Sequence, residues 1–228
     1  MYLYTLKFKI MAKKKNLSKT ELITKYMNYT LEHGRPVSVY ALAKAQDFEE
    51  QEFYQYFGTL QTLETEIFTV FFENTLIALE KSGDYQGFDA RNKLLSFYFT
   101  FFENLTANRS YVLLSLNGGD LNLKDLKKLS GLRKGFVKFV RGLDIKMIDL
   151  KQEKIEKFQE KAIEETAWAQ LLLTIKFWSR DGSPAFEKTD ILIEKAVAAS
   201  FDIIDSNVFK SLFDLGKFLI NEKLEVKR

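Results

Sequence analysis

The chain contains no cysteine. A disulfide framework, a thiolate metal site and a cysteine nucleophile are therefore excluded. Its single histidine, His33, excludes metal sites built from several imidazoles. Only two prolines occur in 228 residues, Pro36 and Pro184, and so few breakers favour long helices. No apolar run approaches the roughly 18 residues that a membrane span needs. The opening MYLYTLKFKI lacks the apolar segment and small-residue cleavage site of a signal peptide. A cytoplasmic protein without stable membrane insertion is expected. Basic residues are missing altogether from 47 to 80, where eight carboxylates stand: Asp47, Glu49, Glu50, Glu52, Glu64, Glu66, Glu73 and Glu80.

What is present points to a packed α-protein. Hydrophobic residues make up 46% of the chain and charged residues 29%, enough for a sizeable core and against disorder. The length suits one large domain or a small one joined to a larger one. Phenylalanine is in excess, 21 copies against 2 tryptophans, and so many rings need a core, an oligomer interface or an apolar cavity. The net charge of +3 says little, but its distribution says more. Residues 1–46 carry nine bases against two acids, and the acidic stretch follows directly. Met11 opens a more ordinary beginning, so the first ten residues read as a misplaced start or a disordered arm.

Breaks and periodicity predict the elements. Ser18 or Thr20 caps a helix to about Glu32, which His33-Gly34 ends. Ser38 caps a short helix over Val39–Ala45, and another covers Glu49–Tyr56. Gly58-Thr59 starts a long helix in which Leu60, Leu63, Ile67, Val70, Phe71, Leu76 and Leu79 recur at helical spacing. An aromatic helix over Asp89–Leu105 follows, then Asn108–Leu116 and a basic helix over Leu123–Leu143. A charged helical segment Ile145–Ile163, an apolar one Glu164–Trp178 and two amphipathic helices, Thr189–Ile204 and Val208–Glu222, complete the chain. No period-2 strand pattern persists, so the expected class is all-α.

The order Gly34, Val37-Ser38-Val39, Leu42-Ala43, Phe48, Phe53-Tyr54, Tyr56-Phe57 and Leu63 resembles the N-terminal head of TetR/AcrR-type transcriptional regulators. That pattern runs Gly, Thr/Ser, Ile-Ala, Gly-Val-Ser, then Leu-Tyr-x-His/Tyr-Phe-x-x-Lys-x-x-Leu, and the resemblance covers about residues 18–70. It implies a TetR-like architecture: a basic arm over 1–17, a helix-turn-helix head over 18–60, and a helical ligand-binding and dimerisation body over 61–228. The departures are specific. The turn glycine is Asp47, the cap serine is Glu49, the recognition positions read Glu50, Gln51 and Glu52, and the phosphate-contacting lysine is Leu60. Acidic side chains oppose a phosphate backbone, although carboxylates at a helix N-terminus also favour its dipole.

The resemblance implies DNA as a partner, with Lys13, Lys14, Lys15, Ser38, Lys44, Tyr54, Tyr56 and Thr59 as its candidate contacts. It also implies a small hydrophobic ligand in the body, with Phe97, Tyr98, Phe101, Phe102, Leu105, Trp168, Leu172 and Ile175 as candidate walls; plain core packing is the simpler reading of the rings. A fatty acyl or isoprenoid chain would suit such walls. Arg109 and Tyr111 are candidates for an anionic headgroup or simple surface positions. The basic helix reads as a solvated face or a membrane-surface contact. Rings and aliphatics on several faces of Ala167–Trp178 and Ile191–Ile204 predict a homodimer interface. Enzyme chemistry finds no footing: there is no Gly-rich phosphate loop and no Glu-x-x-His pair. No cofactor or metal is expected. A regulator is the first reading; a lipid- or partner-binding protein that keeps the fold without binding DNA is the second.

Overall fold

The helices that start at Lys19, Val39, Ala90 and Leu123 begin where a side chain supplies a hydrogen-bond acceptor for the first orphan amides. The computed structural model describes residues 17–145 and 153–205, together with 211, 215 and 218. Among these there are ten α-helices, three single-turn 3-10 helices and no strand. No helix among them is long and apolar enough to cross a membrane. The chain divides into two compact units, Met1–Leu63 and Glu64–Arg228, and the boundary falls inside one continuous helix.

In the first unit, α1 spans Lys19–His33, α2 Val39–Ala45 and α3 Glu50–Tyr54. Ser18 caps α1 through a reciprocal pair: its hydroxyl accepts from Glu21 N–H at 3.1 Å, and the Glu21 carboxylate accepts from Ser18 N–H at 2.8 Å. Gly34 ends it at φ +79°, donating its N–H to Thr30 O at 3.0 Å. Ser38 caps α2 by accepting from Ala41 N–H at 3.1 Å. The turn to α3 holds Asp47 at φ +51°, the conformation that a glycine would adopt without strain and that aspartate tolerates best among larger residues. Leu22, Tyr26, Leu42, Ala43, Phe53, Phe57 and Leu63 close the core of this unit.

Helix α4, Leu60–Glu80, leads into the second unit. There α5 (Ala90–Ala107), α6 (Arg109–Ser115), α7 (Leu123–Lys128), α8 (Ser130–Arg141), α9 (Glu153–Arg180) and α10 (Glu187–Asp205) follow. Besides shifts of one to two residues at helix ends, such as α3 at Glu50–Tyr54, two elements divide differently from the sequence reading. The basic helix expected over Leu123–Leu143 is two helices, broken at Leu129, which is fully buried. The side chain of Lys128, the last residue of α7, donates to Ser115 O at 2.5 Å. Conversely, the apolar segment and the described part of the charged one are one helix, α9, with no Gly or Pro between 153 and 180; residues 146–152 lie outside the described residues. The last expected helix, Val208–Glu222, lies almost wholly outside the described residues.

Phenylalanine builds the second unit's core. Phe97 stacks on Phe101 at 5.4 Å and on Phe139 at 4.8 Å, and tilts against Phe72 and Phe136. Tyr98 stacks on Phe102, which meets Trp178 edge-on. Glycines let α8 approach α4 closely. A Cβ at Gly131 would strike the Thr69 hydroxyl, and one at Gly135 would lie 2.7 Å from the Phe72 ring.

Candidate functional site

The helix-turn-helix face of the first unit is less acidic than its composition. The Glu52 carboxylate turns back to accept Glu49 N–H at 2.9 Å and Leu17 N–H at 3.3 Å, so it serves as a cap. Glu50 accepts the Tyr54 hydroxyl at 3.1 Å. Glu49, Gln51, Tyr54 and Gln55 are the exposed residues that remain on and beside α3, with Asp47 in the turn before it.

The candidate DNA contacts fall into distinct environments. Ser38 and Thr59 are exposed but already act as helix caps, Thr59 accepting from Thr62 N–H at 3.1 Å. Tyr56 is exposed along one edge while its hydroxyl donates to Leu17 O at 2.9 Å. Lys44 and Tyr54 are exposed. Lys25, which the sequence did not single out, donates to Gln46 O at 2.6 Å and secures the end of α2. Lys13, Lys14 and Lys15 lie outside the described residues.

In the second unit, three of the eight candidate ligand residues border openings: Phe102 one beside Trp178 and Phe186, and Trp168 and Leu172 another. Phe97, Tyr98, Phe101, Phe102, Leu105 and Ile175 are buried within the ring cluster and its surroundings. Trp168 and Leu172 border a separate shallow groove beside the Arg133–Glu165 ion pair. The Tyr98 hydroxyl is buried with no hydrogen-bond partner, and burial pushes its pKa up.

A separate apolar cavity of about 310 Å³ opens between the N-terminal turn of α5, the end of α8, the middle of α9 and the last turns of α10. Leu94, Val140, Ile163, Phe201 and Ile204 supply most of its wall, and Gln170 and Ser200 supply polar atoms. The volume is at the low end of the roughly 300–1,000 Å³ of small-molecule sites. The sequence reading passed over these residues because they are single, unremarkable aliphatics drawn from four helices. The one local signal was Gln170, a polar residue flanked by Trp168, Leu171, Leu172 and Leu173.

Arg109 is neither a headgroup partner nor a loose surface charge. Its guanidinium lies 4.5 Å from the Trp178 ring centroid and 4.6 Å from that of Phe186. It donates to Trp178 O at 2.9 Å, Ser179 O at 3.1 Å and Asp181 O at 3.4 Å, so it caps the C-terminus of α9. Burial lowers its pKa, and Asp181 opposes that shift. Asp181 in turn accepts from Ser183 N–H and hydroxyl at 2.9 and 2.7 Å, and from Thr189 N–H and hydroxyl at 2.9 and 2.6 Å. Burial raises the Asp181 pKa, but these four bonds outweigh it and hold the carboxyl well below its usual range. The joint also carries two successive left-handed residues, Ala185 at φ +51° and Phe186 at φ +62°. Tyr111 is buried nearby in α6.

The family described as "Tetracyclin repressor-like, C-terminal domain" matches residues 93–219, more than half of the chain. The chain belongs to the TetR-like family. A search of curated proteins finds no match. The TetR-like stretch takes in the ring cluster from Leu94 onward, the Arg109 joint and every residue lining the 310 Å³ cavity. The head lies outside it, so its resemblance rests on its own residues and on the left-handed turn at Asp47.

Proposed function

We propose that this TetR-like chain is a one-component transcriptional regulator that works in the cytoplasm as a homodimer. The first unit binds operator DNA, and a hydrophobic ligand in the body's cavity changes that affinity. What carries this reading is the pairing of a TetR-like body with a head in which α2, a left-handed turn at Asp47 and α3 follow one another at helix-turn-helix spacing. Lys44, Tyr54, Ser38, Tyr56 and Thr59, with the Lys13–Lys15 arm, supply the phosphate contacts. The inward turn of Glu52 supports the reading, since it takes one carboxylate off the outer surface. Exposed Leu173 and Phe177 on α9 and Ile191 on α10 support pairing through the body.

The test is fluorescence anisotropy with DNA from upstream of the gene, across a salt series. A sequence-specific complex whose log affinity falls with log salt by about 0.9 per phosphate contacted is expected. Lys44→Glu should weaken it at every sequence. No binding at low salt overturns the regulator reading.

One observation favours a second reading. Asp47, Glu49 and Glu50 cluster at the reading helix, and no base stands between 47 and 80. A TetR-like protein that has abandoned DNA for a lipid or protein partner would tolerate that charge. Absence of any DNA shift, together with lipid recovered by solvent extraction of the purified protein, would select it.

A further inference from the structure

The cavity's chemistry narrows what can occupy it. Its wall is hydrocarbon, and among the described residues no charged side chain lines it. The cation next to the wall residue Val140, Arg141, is committed to Glu164 at 2.6 Å. Three polar residues, Thr166, Gln170 and Ser200, interrupt the hydrocarbon wall. The Ser200 hydroxyl shares its one proton between Gln170 Oε1 at 2.7 Å and Ala196 O at 2.9 Å, while Gln170 Nε2 is buried and has no hydrogen-bond partner. A donor held in an apolar wall without an acceptor is unfavourable, and any molecule that brings an acceptor relieves it. Among the described lining residues no cation stands to meet an anionic headgroup. A plain hydrocarbon would leave the donor unpaired.

We infer that the cavity selects an uncharged, single-chain apolar molecule carrying one carbonyl or ester oxygen, and that this oxygen accepts a hydrogen bond from Gln170 Nε2. The inference rests on the ligand-binding part of the function proposed above. It sets the free fatty acid, which shares the chain, outside the preferred class. A space of 310 Å³ holds about ten groups of roughly 30 Å³ each, so a chain near ten carbons fits.

The experiment uses the full-length protein and N-phenyl-1-naphthylamine, an uncharged fluorescent reporter, displaced by methyl decanoate or by decanoate. Methyl decanoate should compete at about tenfold lower concentration than decanoate. Gln170→Leu should weaken methyl decanoate by about three- to tenfold, the value of one hydrogen bond. Its melting temperature, measured alongside, distinguishes loss of this hydrogen bond from loss of the fold. Gln170→Met, which keeps the length and removes the amide donor, should weaken the ester at least as much. Ala167→Trp, which fills the cavity, should abolish reporter binding. If decanoate competes as well as the ester, or if both Gln170 variants bind the ester like the parent, the ligand class assigned here is overturned while the cavity stands as a binding site. If neither the reporter nor either competitor binds the parent protein, the ligand-binding reading falls and this inference falls with it.

Discussion

Arg109→Ala tests whether the α9–α10 joint is held by one guanidinium. The side chain makes two ring contacts at 4.5 and 4.6 Å, two bonds to carbonyls in the last turn of α9 and one to Asp181 O just beyond it. The ring contacts are worth about 0.5 kcal/mol each in a half-buried setting. Hydrogen bonds from a charged donor contribute about 1.5–3 kcal/mol, and three that share one donor do not add. Truncation should therefore cost about 3 kcal/mol, or a fall of about 6–12 °C in melting temperature for a unit of this size. Both tryptophans, Trp168 and Trp178, are buried in the second unit, so fluorescence-detected urea unfolding reads that unit directly. Arg109→Met separates the terms, because it keeps an apolar stem between the rings and loses the donors. Arg109→Lys keeps the charge but not the planar fork, and should recover less than half of the loss. An Arg109→Ala protein that unfolds within about 1 kcal/mol of the parent would refute the account. So would a lysine variant as stable as arginine.

Three further outcomes follow from the same coordinates. Tyr98→Phe removes a buried hydroxyl with no hydrogen-bond partner and should be neutral or stabilising by about 1 kcal/mol in urea melts; a clear loss would mean the hydroxyl is bonded. Asp181→Asn should be destabilising at pH 7. The depressed carboxyl contributes stability that is fully present above its unfolded pKa of about 3.9 and is lost as pH falls through the lower folded value, so the gap to the parent should shrink below about pH 4. Gly119→Ala meets both a left-handed backbone at φ +88° and the Ser179 hydroxyl, and should cost about 2–4 kcal/mol. Adding Ser179→Gly should restore only the steric share, and full restoration would contradict the backbone term.

Local signals were legible where one or two residues determine the outcome. Ser18, Ser38 and Asp89 cap their helices because a short polar side chain before an apolar repeat has one obvious partner. The all-α class follows from the same repeats. What depends on contacts distant in sequence was not legible. The break at Leu129 is accompanied by a side-chain bond to Ser115, and nothing in the helix pattern announces it. The charge of 153–163 reads as a change of element, although charge on an exposed face does not interrupt backbone hydrogen bonding. Arg109 looked like a surface cation because its rings arrive from residues 178 and 186. The aromatic run packs ring on ring, with Phe99 and Phe102 bordering a small opening beside Trp178. The 310 Å³ cavity lies among smaller aliphatics, where no dense run marks it. Glu52 looked like part of a repellent surface, and only the fold shows it bent back on Glu49 and Leu17.

The missing β-carbons at Gly131 and Gly135 leave α8 no slack towards α4. Val140, near the end of α8, stands in the cavity wall, so a molecule seated there presses on a side that cannot retreat. Any swelling must be taken up opposite, by α10, whose Ile203 borders the cavity while also facing solvent. An occupant too long for the space would register first as a displaced α10, the helix whose outer face carries the unpaired Ile191.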